Sequence, residues 1–105
     1  DMTEPTWQLV APASDIKPDE PKKYKVAGEE IALYNVDGDI YCTDNICTHA
    51  YASMADGFQE GEEIECPLHE GRFNIKTCEG LCAPIVDDLK TFEVKVEDGD
   101  VFVKI

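Results

Sequence analysis

Cys47-Thr48-His49 and Cys66-Pro67-Leu68-His69, with sixteen residues between them, give the pattern C-x-H…C-x2-H. Each short stretch offers one thiol and one imidazole, and folding two such loops side by side gathers four metal donors. Thiolate and imidazole together suit zinc, or iron that already carries sulfide. The chain has two histidines, and both fall inside this pattern.

Around these loops, from about Asp44 to Pro84, regular alternation fades, glycine and proline accumulate, and four of the five cysteines appear. The composition predicts a loop-rich insert whose order depends on metal. Within it, Ser53–Gly57 reads as a short turn, Gly57–Cys66 as a small hairpin with Gly61 near its tip, and Arg72–Ile75 as a further short strand. Outside it the pattern is plainly β. Thr6–Val10 forms a first strand with Trp7 and Leu9 on one face. A polar connector punctuated by Pro12, Pro18 and Pro21 follows, with Ser14 or Asp15 as the cap of a single helical turn. Lys22–Val26 and Glu30–Val36 are strands around a turn at Ala27-Gly28. Asp37-Gly38, a two-residue turn of the primed type, leads into Asp39–Thr43. Thr91–Glu97, with Phe92, Val94 and Val96 on one face, turns at Asp98-Gly99 into Val101, Val103 and Ile105. The expected architecture is all-β: one domain, 1–105, in which residues 1–43 and 85–105 build a small antiparallel sandwich or barrel. Residues 44–84 cap one end as a metal-binding subdomain.

The match to a known family extends beyond the donors. Thr43-Asp44-Asn45-Ile46-Cys47-Thr48-His49, Glu65-Cys66-Pro67-Leu68-His69-Glu70-Gly71-Arg72-Phe73 and Leu81-Cys82-Ala83-Pro84 resemble the Rieske ferredoxins. The likeness is to the small ferredoxin components of bacterial aromatic-ring-hydroxylating dioxygenases of the naphthalene type. It implies a [2Fe–2S] cluster with Cys47 and Cys66 on one iron and His49 and His69 on the other. Two ferric ions, two sulfides and two thiolates sum to zero charge with neutral imidazoles. An electron therefore enters more easily than at the dianionic all-cysteine cluster, and the potential rises. High-potential relatives join their ligand loops by a disulfide at positions that here are Ala52 and Leu68. Without that bridge the resemblance implies a potential near the low end of the Rieske range, about −150 mV. Ala50 stands where relatives usually have glycine, and Cys78 where a turn glycine often follows Thr77.

The resemblance also implies an electron carrier rather than an enzyme. It would take electrons from an NAD(P)H-dependent flavoprotein reductase and pass them to a Rieske non-haem iron oxygenase acting on aromatic rings. The residues agree, since no nucleophile–base pair and no G-x-G-x-x-G stretch is present. Two other classes remain open from the residues alone. One is a fragment of an oxygenase α subunit, which would need a further mononuclear-iron domain. The other is a zinc-stabilised interaction module, colourless and without redox activity.

The chain of 105 residues, 43% of them hydrophobic, suits one globular domain small enough to profit from a cofactor staple. No apolar run approaches the roughly 20 residues needed to span a bilayer, and no charged-then-apolar signal peptide is seen. Asp1 before Met2 reads as a processing scar. A cytoplasmic monomer is expected, in a compartment where thiols stay reduced and clustered cysteines serve metal. With 23 acidic and 9 basic residues the net charge is −14, which argues against nucleic acid. The charge suits either steering toward a basic partner or simple solubility.

The remaining residues each carry a plain reading beside a functional one. Cys42, in a strand, reads as a buried small hydrophobe. Cys78 and Cys82 are buried thiols, a disulfide or ligands. Pro84 covers the cluster or merely ends a loop. Ala50, Tyr51, Pro67 and Leu68 form an apolar docking rim around the histidines or only shield the metal. Pro67 and Gly71 let the second loop turn tightly, Phe73 is core, and Glu60, Glu62 and Glu63 make a solvated acidic hairpin.

Overall fold

The computed structural model describes residues 6–45, 53–65, 72–75 and 91–105. Their strands are β1 (Trp7–Pro12), β2 (Lys22–Val26), β3 (Glu29–Val36), β4 (Asp39–Asp44), β5 (Phe58–Glu60), β6 (Glu63–Glu65), β7 (Arg72–Asn74), β8 (Thr91–Phe92), β9 (Val94–Glu97) and β10 (Asp100–Lys104). They form three antiparallel sheets, in the orders β1-β10-β9, β2-β3-β4-β8 and β5-β6-β7. The all-β expectation holds, and single 3-10 turns at Ala13–Asp15 and Met54–Asp56 are the helical elements among the described residues. Among the described residues, no helix is long and apolar enough to cross a membrane.

Turn chemistry sets the hairpins. Ala27 and Gly28 have φ of 51° and 83°, Asp37 and Gly38 54° and 92°, and Asp98 and Gly99 53° and 83°. Positive φ at both central residues is the twist that continues into a right-handed ribbon, so each pair closes a two-residue hairpin. The pairings Val26↔Glu29, Val36↔Asp39 and Glu97↔Asp100 follow directly.

The central element is β3. Its sequence Glu-Glu-Ile-Ala-Leu-Tyr-Asn-Val does not alternate polar with apolar, because both of its faces are buried. Ile31 and Leu33 point into one core with Ile16, Val26, Cys42, Val101 and Val103, between the four-stranded sheet and β1-β10-β9. Ala32, Tyr34 and Val36 point the other way, into a second core with Met54, Ile64 and Ile75. Each large apolar side chain so buried contributes about 1.5–3 kcal/mol before the entropy of ordering it. Cys42 behaves as expected, 1% exposed among aliphatic neighbours.

Two local expectations are corrected. Thr91–Glu97 is not one strand: β8 pairs with β4 while β9 pairs with β10, and the chain changes sheet at Glu93. There the Glu93 carbonyl accepts a hydrogen bond from the Lys104 N–H at 2.9 Å. Val94 and Val96 share a face of β9, opposite Val103 and Val101, but Val96 is 51% exposed. Trp7 and Leu9 share a face, as expected; it is the outer one, and a bulge between Leu9 and Ala11 places Ala11 inward. Lys95 Nζ lies 4.8 Å from the Trp7 ring centroid on that outer face. The first 3-10 turn starts after Pro12 with no side-chain cap, so Ser14 and Asp15 lie within it instead of capping it.

Candidate metal centre

Cys47, His49, Cys66 and His69 lie outside the described residues, as do Ala50, Tyr51, Pro67, Leu68, Gly71, Cys78, Cys82 and Pro84. What the structure describes is the frame from which both C/H loops spring, and that frame is closely specified. The first loop, 46–52, leaves β4 at Asn45 and returns at Ser53. Asn45 is fully buried and polar, so its hydrogen bonds have to be found inside the protein. Its backbone N–H donates to Glu30 O at 3.1 Å, and its carbonyl accepts from the Met54 N–H at 2.6 Å. The side-chain Oδ1 accepts from the Ala55 N–H at 2.9 Å. Nδ2 donates to Ser53 Oγ at 2.9 Å and to Glu30 Oε1 at 3.3 Å. One residue therefore ties the departing and returning ends of the loop to each other and to β3.

The second loop, 66–71, joins β6 to β7. These strands pair with Glu65 opposite Arg72, so the loop is closed at its base by the ladder itself. Beyond it the Ile75 N–H donates to Glu62 O at 2.7 Å, and Asn74 Nδ2 donates to Glu62 Oε1 at 3.0 Å. The hairpin expected over Gly57–Cys66 is present, with Gly61 at its turn in a positive-φ conformation.

Gly57 brings the two loop bases together. Its N–H donates to Met54 O at 3.0 Å, ending the 3-10 turn that follows the first loop. A Cβ placed on Gly57 would collide with Glu65 O, the last residue before the second loop, and would also stand 3.2 Å from Met54 O. The φ of Gly57 is −80°, so it is space and not backbone freedom that requires glycine. Below the loops, Thr43 Oγ1 donates to Asp44 O at 3.0 Å, which leaves the Tyr34 hydroxyl to donate to Thr43 Oγ1 at 2.8 Å. Both side chains are fully buried. Gln59 Nε2 donates to Asn35 O at 2.8 Å and fastens β5 to β3.

The expected donors lie outside the described residues, and the frame that flanks them carried little local signal in the sequence. Asn45 lies in a quoted motif, yet nothing local marks it as a latch, because its partners are 8 to 15 residues away. Gly57 was legible only as the end of a turn.

Two sequence stretches, each with one cysteine and one histidine, are thus anchored at adjoining points of one β frame, which suits a metal centre of the iron–sulfur or zinc kind. The chain belongs to the Rieske [2Fe-2S] domain family, whose model matches residues 6–93. A relative from Ralstonia sp, the ferredoxin component of naphthalene 1,2-dioxygenase/salicylate 5-hydroxylase systems, is 52% identical over 99 residues, covering 94% of this chain and 95% of its own. Among solved structures, the Sphingomonas yanoikuyae B1 ferredoxin superposes with a TM-score of 0.90 at 38% identity, covering 95% of this chain and 99% of that one. A ferredoxin chain in a complex of reduced oxygenase and oxidized ferredoxin of carbazole 1,9a-dioxygenase gives 0.86 at 37% identity, covering 91% and 99%. The cofactor of the chain is thus a Rieske-type [2Fe–2S] cluster. The donor set fits it: two thiols and two imidazoles, one of each per loop, on loops whose bases are held side by side.

Proposed function

We propose that this chain is the ferredoxin of an aromatic-ring dioxygenase system. Its cluster is held by Cys47 and Cys66 on one iron and by His49 and His69 on the other. When bound, the cluster supplies a one-electron couple whose potential is raised by its two imidazole ligands. The observation that carries the reading is the end-to-end likeness to ferredoxin components, which accounts for 95% of the relative's length as well as 94% of this chain. Residues 44–84 act as the cluster-binding part, set on a base of 1–43 and 85–105.

The chain's own residues then do three things. The frame at Asn45, Gly57 and Glu65 holds the loops at fixed separation, so little structure has to move when charge changes. Asp44, Asp56, Glu60, Glu62, Glu63 and Glu65 lie on or beside the elements of that frame, and their negative charge opposes an added electron and favours a potential low in the Rieske range. Ala50, Tyr51, Pro67 and Leu68 provide an apolar rim at the exchange surface, suited to the small, short-lived contacts that turnover requires. The electron donor is an NAD(P)H-dependent flavoprotein reductase. The acceptor is a Rieske non-haem iron oxygenase, a pairing supported by the carbazole dioxygenase complex of a related ferredoxin. The protein works as a cytoplasmic monomer that meets each partner transiently.

The test is a low-temperature EPR spectrum of the dithionite-reduced protein, followed by mixing with such an oxygenase. The expected result is a rhombic signal with average g below that of an all-cysteine [2Fe–2S] cluster, lost on mixing as the electron leaves. A colourless, EPR-silent protein containing zinc would sink the proposal.

A further inference from the structure

The hydrogen bonds around Asn45 satisfy its buried amide, and it is the placement of their partners that sets this residue apart. They connect, in a continuous path, every point at which the two C/H loops enter and leave the frame. From Asn45 the path runs through its carbonyl and Oδ1 to the N–H groups of Met54 and Ala55. It continues from Met54 O to the Gly57 N–H, and from Gly57 by direct backbone contact to Glu65, whose partner across the ladder is Arg72. A second branch from Nδ2 reaches Ser53 and Glu30, fixing the loop base to the start of β3. A cluster with ligands from both loops is only as well held as the spacing of those loops. The outer partners that fix that spacing act on the metal without touching it.

We infer that Asn45 is a positioning residue for the cluster: its side-chain amide sets the spacing of loop 46–52 against loop 66–71, and so governs cluster retention and cluster geometry separately from fold stability. The inference rests on the ligand assignment proposed above. A purely stabilising role would predict something different, namely that Asn45 behaves like any other buried hydrogen-bonding side chain nearby. The Tyr34–Thr43 pair provides that comparison, being equally buried and close in the chain.

The holoproteins of wild type, Asn45→Ala, Ser53→Ala and Tyr34→Phe are compared. Loss of visible absorbance to a ferrous chelator is followed at a temperature where far-UV circular dichroism shows each to be folded, and reduced EPR spectra are recorded. Asn45→Ala should release iron about tenfold faster than wild type or more, with shifted or broadened g values. Ser53→Ala, which removes one partner of Nδ2, should move the rate the same way by less. Tyr34→Phe should keep the wild-type rate and g values despite its lower melting temperature. Equal release rates for Asn45→Ala and Tyr34→Phe would overturn the inference. Should Asn45→Ala not accumulate as folded protein, Ser53→Ala decides, and a wild-type release rate there is equally fatal. A wild-type protein without the rhombic signal would instead refute the ligand assignment, so the two failures are told apart before any variant is compared.

Discussion

Gly57 stands against the carbonyl of Glu65 with no room for a side chain between them. The contact joins the end of one loop base to the start of the other. Gly57→Ala should therefore cost about 1–3 kcal/mol through overpacking against backbone that cannot rotate away. Because the φ of −80° is ordinary for alanine, no strain from positive φ contributes. Urea denaturation of the holoprotein would measure the loss, and cluster content after purification should fall with it. A fully stable, fully loaded Gly57→Ala protein would show that the two bases can separate freely.

Tyr34→Phe removes the buried hydrogen bond to Thr43 Oγ1 while keeping the ring in its core. The expected loss is about 1 kcal/mol, the usual net worth of such a bond. A denaturation midpoint will report it, and the reduced spectrum should be unchanged.

Cys42 sits in the core shared by Ile31, Leu33, Val101 and Val103, away from the pattern of paired ligands. Cys42→Ser places a hydroxyl among aliphatic groups and should destabilise the protein by about 1–3 kcal/mol. The EPR signal should keep its wild-type shape at full iron content. Loss of iron from a protein still folded would mean that this cysteine matters to the metal after all.

His69→Ala should abolish the cluster, and Cys82→Ala should leave its spectrum intact. Iron and sulfide analysis with visible absorbance decides both. A bleached Cys82→Ala protein would overturn the ligand assignment given above.

Much of the fold was legible because its decisive signals are local. Asp-Gly twice and Ala-Gly once announce two-residue turns, and those turns occur with the backbone angles they demand. What was not legible depends on partners far along the chain. The unbroken alternation of Phe92, Val94 and Val96 conceals a change of sheet, because nothing in seven residues tells which strand each will pair with. The spacing of Trp7 and Leu9 says that they share a face but not which side is covered, and the bulge before Ala11 leaves them outward. At the site, donor chemistry could be read from residue type and spacing. The Asn45 latch could not, since an asparagine before a loop looks the same whether its amide meets solvent or closes the loop.

The burial of both faces of β3 has a further consequence. In a half-buried strand, sliding by one residue would expose its apolar side chains, and that penalty holds the pairing in place. Here the penalty is weak, for Ile31-Ala32-Leu33-Tyr34 would present apolar groups to both cores after such a slide. The gauge must lie at the ends of the strand instead. Ala27-Gly28 and Asp37-Gly38 are too short to absorb an extra residue, so each fixes one end of β3 against its neighbour. Two glycine-containing corners therefore decide which side chains of β3 enter each of the two cores.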